Sequence, residues 1–417
     1  MAARHGAERA HVGRVGACAA TLLAAGLALV LGACAPAPER GATHRALRHT
    51  ADSLVSSGRP ELARDRLLAV ADGRAAPAAA GWEREWARDR AANLRGLSTL
   101  DADARGELAA TAWPLPSAAR DDDPPDWQPR LRALERQLEV RRRRLPPGSL
   151  DLAETLTALA LLERTKGDGA QAMAHHREAL RIRVAALGED APEVGESRLA
   201  LSRELRATGA TPSEIGALMH RALEIRRRCF GERSREYAEA LAAVANMERW
   251  SRRPAAALAA FEELLALRRR LDGPRSRAVA DVLADMAVTH MSDGDDRAIT
   301  RLAGEAVSIY RESGGTPDAS ESLALNMYGL GLRRVGRLAE ADRVLRRTIE
   351  VQELRRRGAP DDDVVRGRFH RLAAYGDLAL VQLLEGDSLA AWETQERGNA
   401  RRWLERVIAR GDRKSVV

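Results

Sequence analysis

Few side chains in this sequence are of the kinds that do chemistry, and their spacing matters more than their number. His175 and His176 are neighbours. Adjacent residues on a helix point in different directions, so these imidazoles cannot share a metal as residues four apart could. Cys229 stands beside Phe230 near an expected helix end, and it reads as a small packing residue, because free cysteines are usually buried and inert. The stretch "SDGDDRA" (292–298) has acids enough for Ca²⁺. It lacks the spacing and terminal Glu of a calcium loop, however, and reads as a solvated turn. Asp361, Asp362 and Asp363 follow Pro360 and read as a helix start, where acids suit the dipole. With no Gly-rich phosphate loop and no metal-ligand spacing, the sequence leads us to expect no catalytic residue, no metal and no cofactor, and the chain as written does not read as an enzyme.

The elements that carry these residues are helices. Aromatics are 3% and charged residues 30% of 417 residues, which suits long amphipathic helices and starves a β-sandwich of its usual residues. At the N-terminus, Arg4, Arg9 and Arg14 precede an apolar run ending "LALVLGAC", the pattern of an export signal. Leu31-Gly32-Ala33-Cys34 resembles the bacterial lipobox, which implies cleavage before Cys34 and lipidation of that residue. An uncleaved anchor is the alternative, since the run is about the ~20 residues that spanning requires. The cleavable Cys and the tether-like "APAPERGA" after it favour the lipoprotein,. Ala after Cys34, in place of Asp, implies the outer membrane where the cell has one. Without residues 1–33, which carry three Arg and one Glu, the net charge of +7 becomes +5. That is too mild and too dispersed for a nucleic-acid partner. Once Cys18 leaves with the signal and Cys34 takes lipid, Cys229 has no disulfide partner within the chain,.

A period organises the rest. "ALRIRVAALG" (179–188), "ALEIRRRCFG" (222–231), "LLALRRRLDG" (264–273) and "AVSIYRESGG" (306–315) begin 43, 42 and 42 residues apart, with further copies at Thr348 and Gln137. Ahead of the copies lie small-residue steps at Leu159-Ala160, Leu201-Ser202, Val244-Ala245, Met286-Ala287 and Tyr328-Gly329, where two helices can approach closely. Gly167, Gly209, Gly294 and Gly336 mark turns between paired helices, a role taken by Arg252-Arg253-Pro254 in the third unit,. Each second helix then opens with Ala172, Ile215, Ala257, Ile299 or Ala341, facing back to the first. This pattern resembles the tetratricopeptide repeat family in its 42-residue, kinesin light chain-like form. The resemblance implies an all-α, right-handed superhelical solenoid of stacked helical hairpins. His176 and Gln395 depart from it by standing where a large apolar residue is usual. The expected organisation is a signal peptide (1–33), a tether (34–45), an N-terminal helical region with one degenerate repeat-like hairpin (46–113), a Pro/Asp-rich linker and domain boundary (114–126), the repeat array (127–411), and a non-native tail (412–417).

In that family the first helix of each hairpin lines the concave face, which implies a groove at Glu154, Glu196, Glu239 and Asp281 on the entering side. Arg164, Arg203, Arg206, Asn246, Arg249, Asn326 and Arg333 would follow them along the helices. Guanidinium and amide groups suit carboxylates and peptide backbone, so the expected partners are proteins or peptides in the groove and a membrane through lipidated Cys34. The expected function is an extracytoplasmic, lipid-anchored interaction scaffold in the cell envelope. The last hairpin, with Gly386, Ala391, Glu396-Arg397, Ala400-Arg401 and Leu404, resembles the segment that joins such arrays to CHAT domains, caspase-like modules. The alternative expectation is therefore the N-terminal half of a CHAT-type peptidase. Trp403, Leu404, Val407 and Ile408 form an apolar stripe in keeping with that reading,. Asp412–Val417 can be read back into codons that look like a sequencing adapter, which leaves the Arg410-Gly411-Asp412 triplet without an adhesive role.

Overall fold

The computed structural model describes residues 40–57, 59–76, 79–111, 127–358 and 373–409. The signal, Cys34, Gly58, the segment 114–126, Asp361–Asp363 and the tail 412–417 lie outside them, as do the side chains of Trp403, Leu404, Val407 and Ile408. The described residues from Thr43 onward belong to one compact unit. No described helix is long and apolar enough to cross a membrane.

Among the described residues the secondary structure is helical throughout. The N-terminal helices are α1 (Ala42–Ser56), α2 (Pro60–Ala71), α3 (Gly81–Ser98), α4 (Ala102–Thr111) and α5 (Trp127–Arg144). Six hairpins follow: α6 (Leu150–Lys166) with α7 (Gly169–Leu187), α8 (Pro192–Ala207) with α9 (Pro212–Phe230), and α10 (Arg235–Trp250) with α11 (Pro254–Asp272). The last three are α12 (Arg277–Thr289) with α13 (Asp296–Ser313), α14 (Ala319–Arg334) with α15 (Leu338–Gly358), and α16 (Ala373–Leu384) with α17 (Ser388–Ala409). From α5 onward each helix packs on its neighbours in sequence, so the array is a solenoid of stacked hairpins,.

The helix ends are written locally. Asp168, Ser234, Ser276, Asp295 and Asp318 each accept a backbone N–H at an N-cap,. Thr211 and Glu214 close a reciprocal capping box,. The four turn glycines have φ between +69° and +95°, and Arg252 takes the left-handed position in the third hairpin at φ +57°. Inside the hairpins, Ala172, Ile215, Ala257, Ile299 and Ala341 are all fully buried. They pack against the small-residue steps, of which Ala160, Ser202, Ala245 and Ala287 are equally enclosed. Small side chains let the axes come close, and the larger Phe261, Leu264, Ile309 and Tyr310 fill the layers between hairpins,.

Successive hairpins also fit by size. A methyl group at Gly216 on α9 would meet the Met247 thioether of α10 at 3.4 Å, whereas one at Gly331 on α14 would collide with Thr300 of α13, 2.6 Å from its hydroxyl. Small faces large at the first seam, and large faces small at the second. A row of arginines adds polar links. Arg141 donates to the Asp151 carbonyl and the Thr155 hydroxyl, both at 2.6 Å. Arg183, 42 residues on, donates to the Ser197 hydroxyl at 2.6 Å, and Arg226 donates to the Glu236 carbonyl and the Glu239 carboxylate at 2.8 and 2.9 Å. Each guanidinium ties its helix, α5, α7 or α9, to the first helix of the next hairpin.

The N-terminal helices pack onto the array. Helix α1 begins at Ala42, so the helix takes in the last residues of the expected tether. Helix α4 packs on α5, and α3 packs on α7. The reason is specific contact: Asn93 of α3 accepts from the Leu150 N–H at 3.0 Å and donates to the Gly148 carbonyl at 2.9 Å, while Arg144 of α5 pairs with Glu107 and Asp103 of α4.

Candidate functional site

The first helices present their acids at one register position. Glu154, Glu196, Glu239 and Asp281 follow one another in α6, α8, α10 and α12, and Asp151, Glu193 and Glu236 stand one helical turn before the first three. At the N-terminal end this row is already in use. Helix α1 lies across α8 and α10, with Arg45 donating to Glu236 at 2.7 Å and Arg48 to Glu196 at 2.9 Å. Beneath them Arg90 of α3, almost wholly buried, donates to Asp52 of α1 at 3.0 Å and to Glu154 at 3.3 Å. The docking is not only ionic. Leu47, Ala51, Leu54 and Val55 join a cluster with Trp86, Leu187, Val194 and Phe230.

His44 closes the other end of α1. Its Nε2 lies 3.2 Å from the buried Glu193 carboxylate, which also accepts from the Trp86 indole at 3.0 Å. Its backbone N–H donates to Glu83 at 3.0 Å, and its ring sits edge-on to Trp86 with centroids 4.5 Å apart. Burial alone would push the Glu193 carboxyl up. The His44 hydrogen bond and the Arg48 charge outweigh it and bring the pKa down to about 2,.

The residues expected to line the groove divide. Arg249 donates to Asn246 and, at 3.2 Å, to Asp285 of the next hairpin, while Asn246 donates to the Ala242 carbonyl at 3.0 Å. Arg333 likewise reaches Asp377 of the following hairpin at 3.1 Å. These guanidiniums brace neighbouring first helices. Asn326 is 3% exposed, and its Oδ1 has no donor. Arg164, Arg203 and Arg206 are exposed on α6 and α8. Arg164 stands 3.8 Å from Glu204. Burial, with Arg164 and Arg226 nearby, lowers the proton affinity of Arg203. The structure thus keeps three of the seven expected residues accessible together and commits Asn246, Arg249 and Arg333 to the array.

The residues first considered for chemistry are engaged separately. His175 is bonded to Glu163 at 2.8 Å. His176 is enclosed, with Nε2 unpartnered and 3.9 Å from Glu204. Burial, then the charges of Arg183, Arg164 and Arg203, lower its pKa to about 4. Burial pushes the Cys229 thiol up to about 11, where it is no nucleophile,. Among the described residues no cluster of His, Cys, Asp and Glu could hold a metal.

What sequence reasoning missed is where α1 docks. Its arginines at 45 and 48 are spaced to meet acids one register apart, but nothing local says which acids.

Residues 152–193 match a family model described as "Tetratricopeptide repeat". No curated protein matches the chain. Among solved structures, it is similar to BtubC (BKLC) from P. vanneervenii, at 23% identity over 57% of this chain and 95% of that one, with a TM-score of 0.48. It is also similar to kinesin light chain TPR-like repeats of Podosopora anserina, at 16% identity over 51% and 98% of the two chains, with a TM-score of 0.43. Aspartyl phosphate phosphatase F from Bacillus subtilis is a third such structure, at 10% identity, 77% and 71% coverage and a TM-score of 0.47. The matched stretch runs from α6 into the start of α8, one full period, so the hairpin α6/α7 carries a tetratricopeptide repeat and the hairpins after it continue the same architecture.

Proposed function

We propose that this chain is a scaffold that holds other proteins or peptides along the face formed by the first helices of its hairpins. The observation that supports this is α1. The array already holds a helix across α8 and α10 through Arg45 and Arg48, and the corresponding surface further on, at Glu239, Asp281 and Met291, is exposed. A photo-crosslinking residue placed at Glu239 or Met291 in cells should capture a partner, whereas the same residue at exposed Arg301 on the second helix α13 should not. Equal capture at all three positions, or none at the first two, would refute the reading.

We further propose an extracytoplasmic location with the membrane as a second partner, through lipid on Cys34. The lipobox-like Leu31–Cys34 supports it, since several acyl chains hold firmly where one is marginal. Cys34→Ser should then move the protein to the soluble fraction; retention on membranes would favour the uncleaved anchor. The resemblance of Gly386–Leu404 to the segment preceding CHAT domains supports an alternative reading, the N-terminal half of a CHAT-type peptidase. The gene's full reading frame tests it: a frame that encodes no caspase-like module would refute this alternative.

A further inference from the structure

The helix held in cis shows what chemistry the acid row accepts. At three of the four acids of the row met from outside the array the visiting group is a guanidinium, Arg90 at Glu154, Arg48 at Glu196 and Arg45 at Glu236, and at Glu193 it is the His44 imidazole with the Trp86 indole. The row does not end there. Glu239 has a side chain 58% exposed, and one carboxylate oxygen accepts from Arg226. Asp281 is exposed yet set among neighbouring helices. Burial raises its carboxyl above the usual range, and the hydroxyls that bond it, Tyr310 at 2.5 Å and Ser320, are neutral donors. Its cationic neighbour Arg277 is bonded to Asp318 at 2.6 Å. Asp285, one turn further along α12, is met among the described residues by one arginine, Arg249, and by the Asn246 amide.

A second kind of observation points the same way. On α14, one helix further along this face, Asn326 is buried with an acceptor oxygen that no group among the described residues supplies with a donor. Carboxylates short of cations and an amide oxygen short of a donor both call for a partner rich in N–H groups.

We propose that the surface continuing from the α1 interface, formed by Glu239, Asp281 and Asp285 on α10 and α12, receives an arginine-bearing segment of a partner protein. It would lie against these helices as α1 lies against α8 and α10. This rests on the reading of the first-helix face as the binding face, and it adds the sign and chemistry of the occupant. Guanidinium is favoured over ammonium because its planar fork can bond two carboxylate oxygens at once.

The test uses the full chain and a fluorescein-labelled peptide with the sequence of α1, Ala42–Ser56, alongside the same peptide with both arginines replaced by glutamate. Anisotropy titration at low salt should show binding of the arginine peptide alone, falling as salt rises. Glu239→Gln with Asp281→Asn should weaken it about tenfold, the equivalent of losing one to two charge-assisted bonds. Circular dichroism should be unchanged, since both side chains are exposed. Equal affinity for this variant, equal binding of the glutamate peptide, or no binding at low salt would overturn the proposal. Loss of binding only with Glu196→Gln and Glu236→Gln would also overturn it, because the peptide would then be exchanging with α1. Crosslinks that persist from Glu239 and Met291 alongside any of these results would leave the binding face standing and remove only the cationic partner.

Discussion

Replacing His176 with leucine should abolish one specific component of acid instability. The imidazole sits fully enclosed on α7 at the register position that Met219, Phe261, Ala303 and Leu345 fill in later hairpins. Its Nε2 has no partner, and burial with three arginines nearby lowers its pKa from 6.5 to about 4. A group with a depressed folded-state pKa binds its proton more readily once the chain unfolds. The folded state is therefore fully favoured above pH 6.5 and loses ground as pH falls from there to about 4. At ~1.36 kcal/mol per pKa unit the loss is about 3 kcal/mol for the hairpins that share His176. Urea unfolding of the wild-type chain and the His176→Leu variant at half-unit steps from pH 7.5 to 4 would measure it. Carboxylates that titrate in the lower part of the range affect both proteins, so the difference isolates the imidazole. At pH 7 leucine should cost nothing and gain about 1 kcal/mol, because an unpaired buried nitrogen is replaced by an apolar group. Parallel stability curves over pH 6.5 to 4 would refute the reasoning.

Two glycines inside helices should respond to alanine with opposite signs. Gly376→Ala meets no atom within 4 Å and should stabilise α16 by about 1 kcal/mol from helix propensity, whereas Gly331→Ala would press on the Thr300 hydroxyl at 2.6 Å and its backbone nitrogen at 3.0 Å,. Overpacking costs of about 1–3 kcal/mol should outweigh the propensity gain at Gly331, as comparative urea melts would record. Arg252→Gly should raise stability by about 0.5 kcal/mol in the same assay, since an L-residue at φ +57° is strained,. Cys229, enclosed and with its thiol raised to about 11, should resist iodoacetamide at pH 8 until urea unfolds its hairpin, as peptide mapping of the alkylated residue would follow,.

The hairpins were legible in the sequence because their determinants are local and repeated. A period of 42, a small pair in one helix and an enclosed Ala or Ile in the next define each unit without reference to distant residues. The candidate site was legible only as a face. Arg249 and Arg333 have the chemistry of ligand contacts, but each meets an acid on the next first helix, Asp285 and Asp377. An acid 36 or 44 residues after each arginine was the available signal. The α1 docking had none of comparable strength. Arg45 and Glu236 are 191 residues apart, and only the folded chain brings them together. His176 was conspicuous as a departure from the pattern, and its consequence is electrostatic where a packing defect was the obvious concern.

The size matching between hairpins bears on how such an array can be rearranged. Gly216 receives Met247 from the following hairpin, and Thr300 instead fills a hollow left by Gly331 in the hairpin after it. The units share a length and an outline, yet each carries half of a lock whose other half belongs to its successor. Excising α12 and α13 would place Gly331 against α11 with no Thr300 to fill its hollow, and inserting a second copy of α8 and α9 would set Gly216 against a helix lacking Met247. The smallest segment that could be moved between arrays intact is therefore a seam, the second helix of one hairpin together with the first helix of the next.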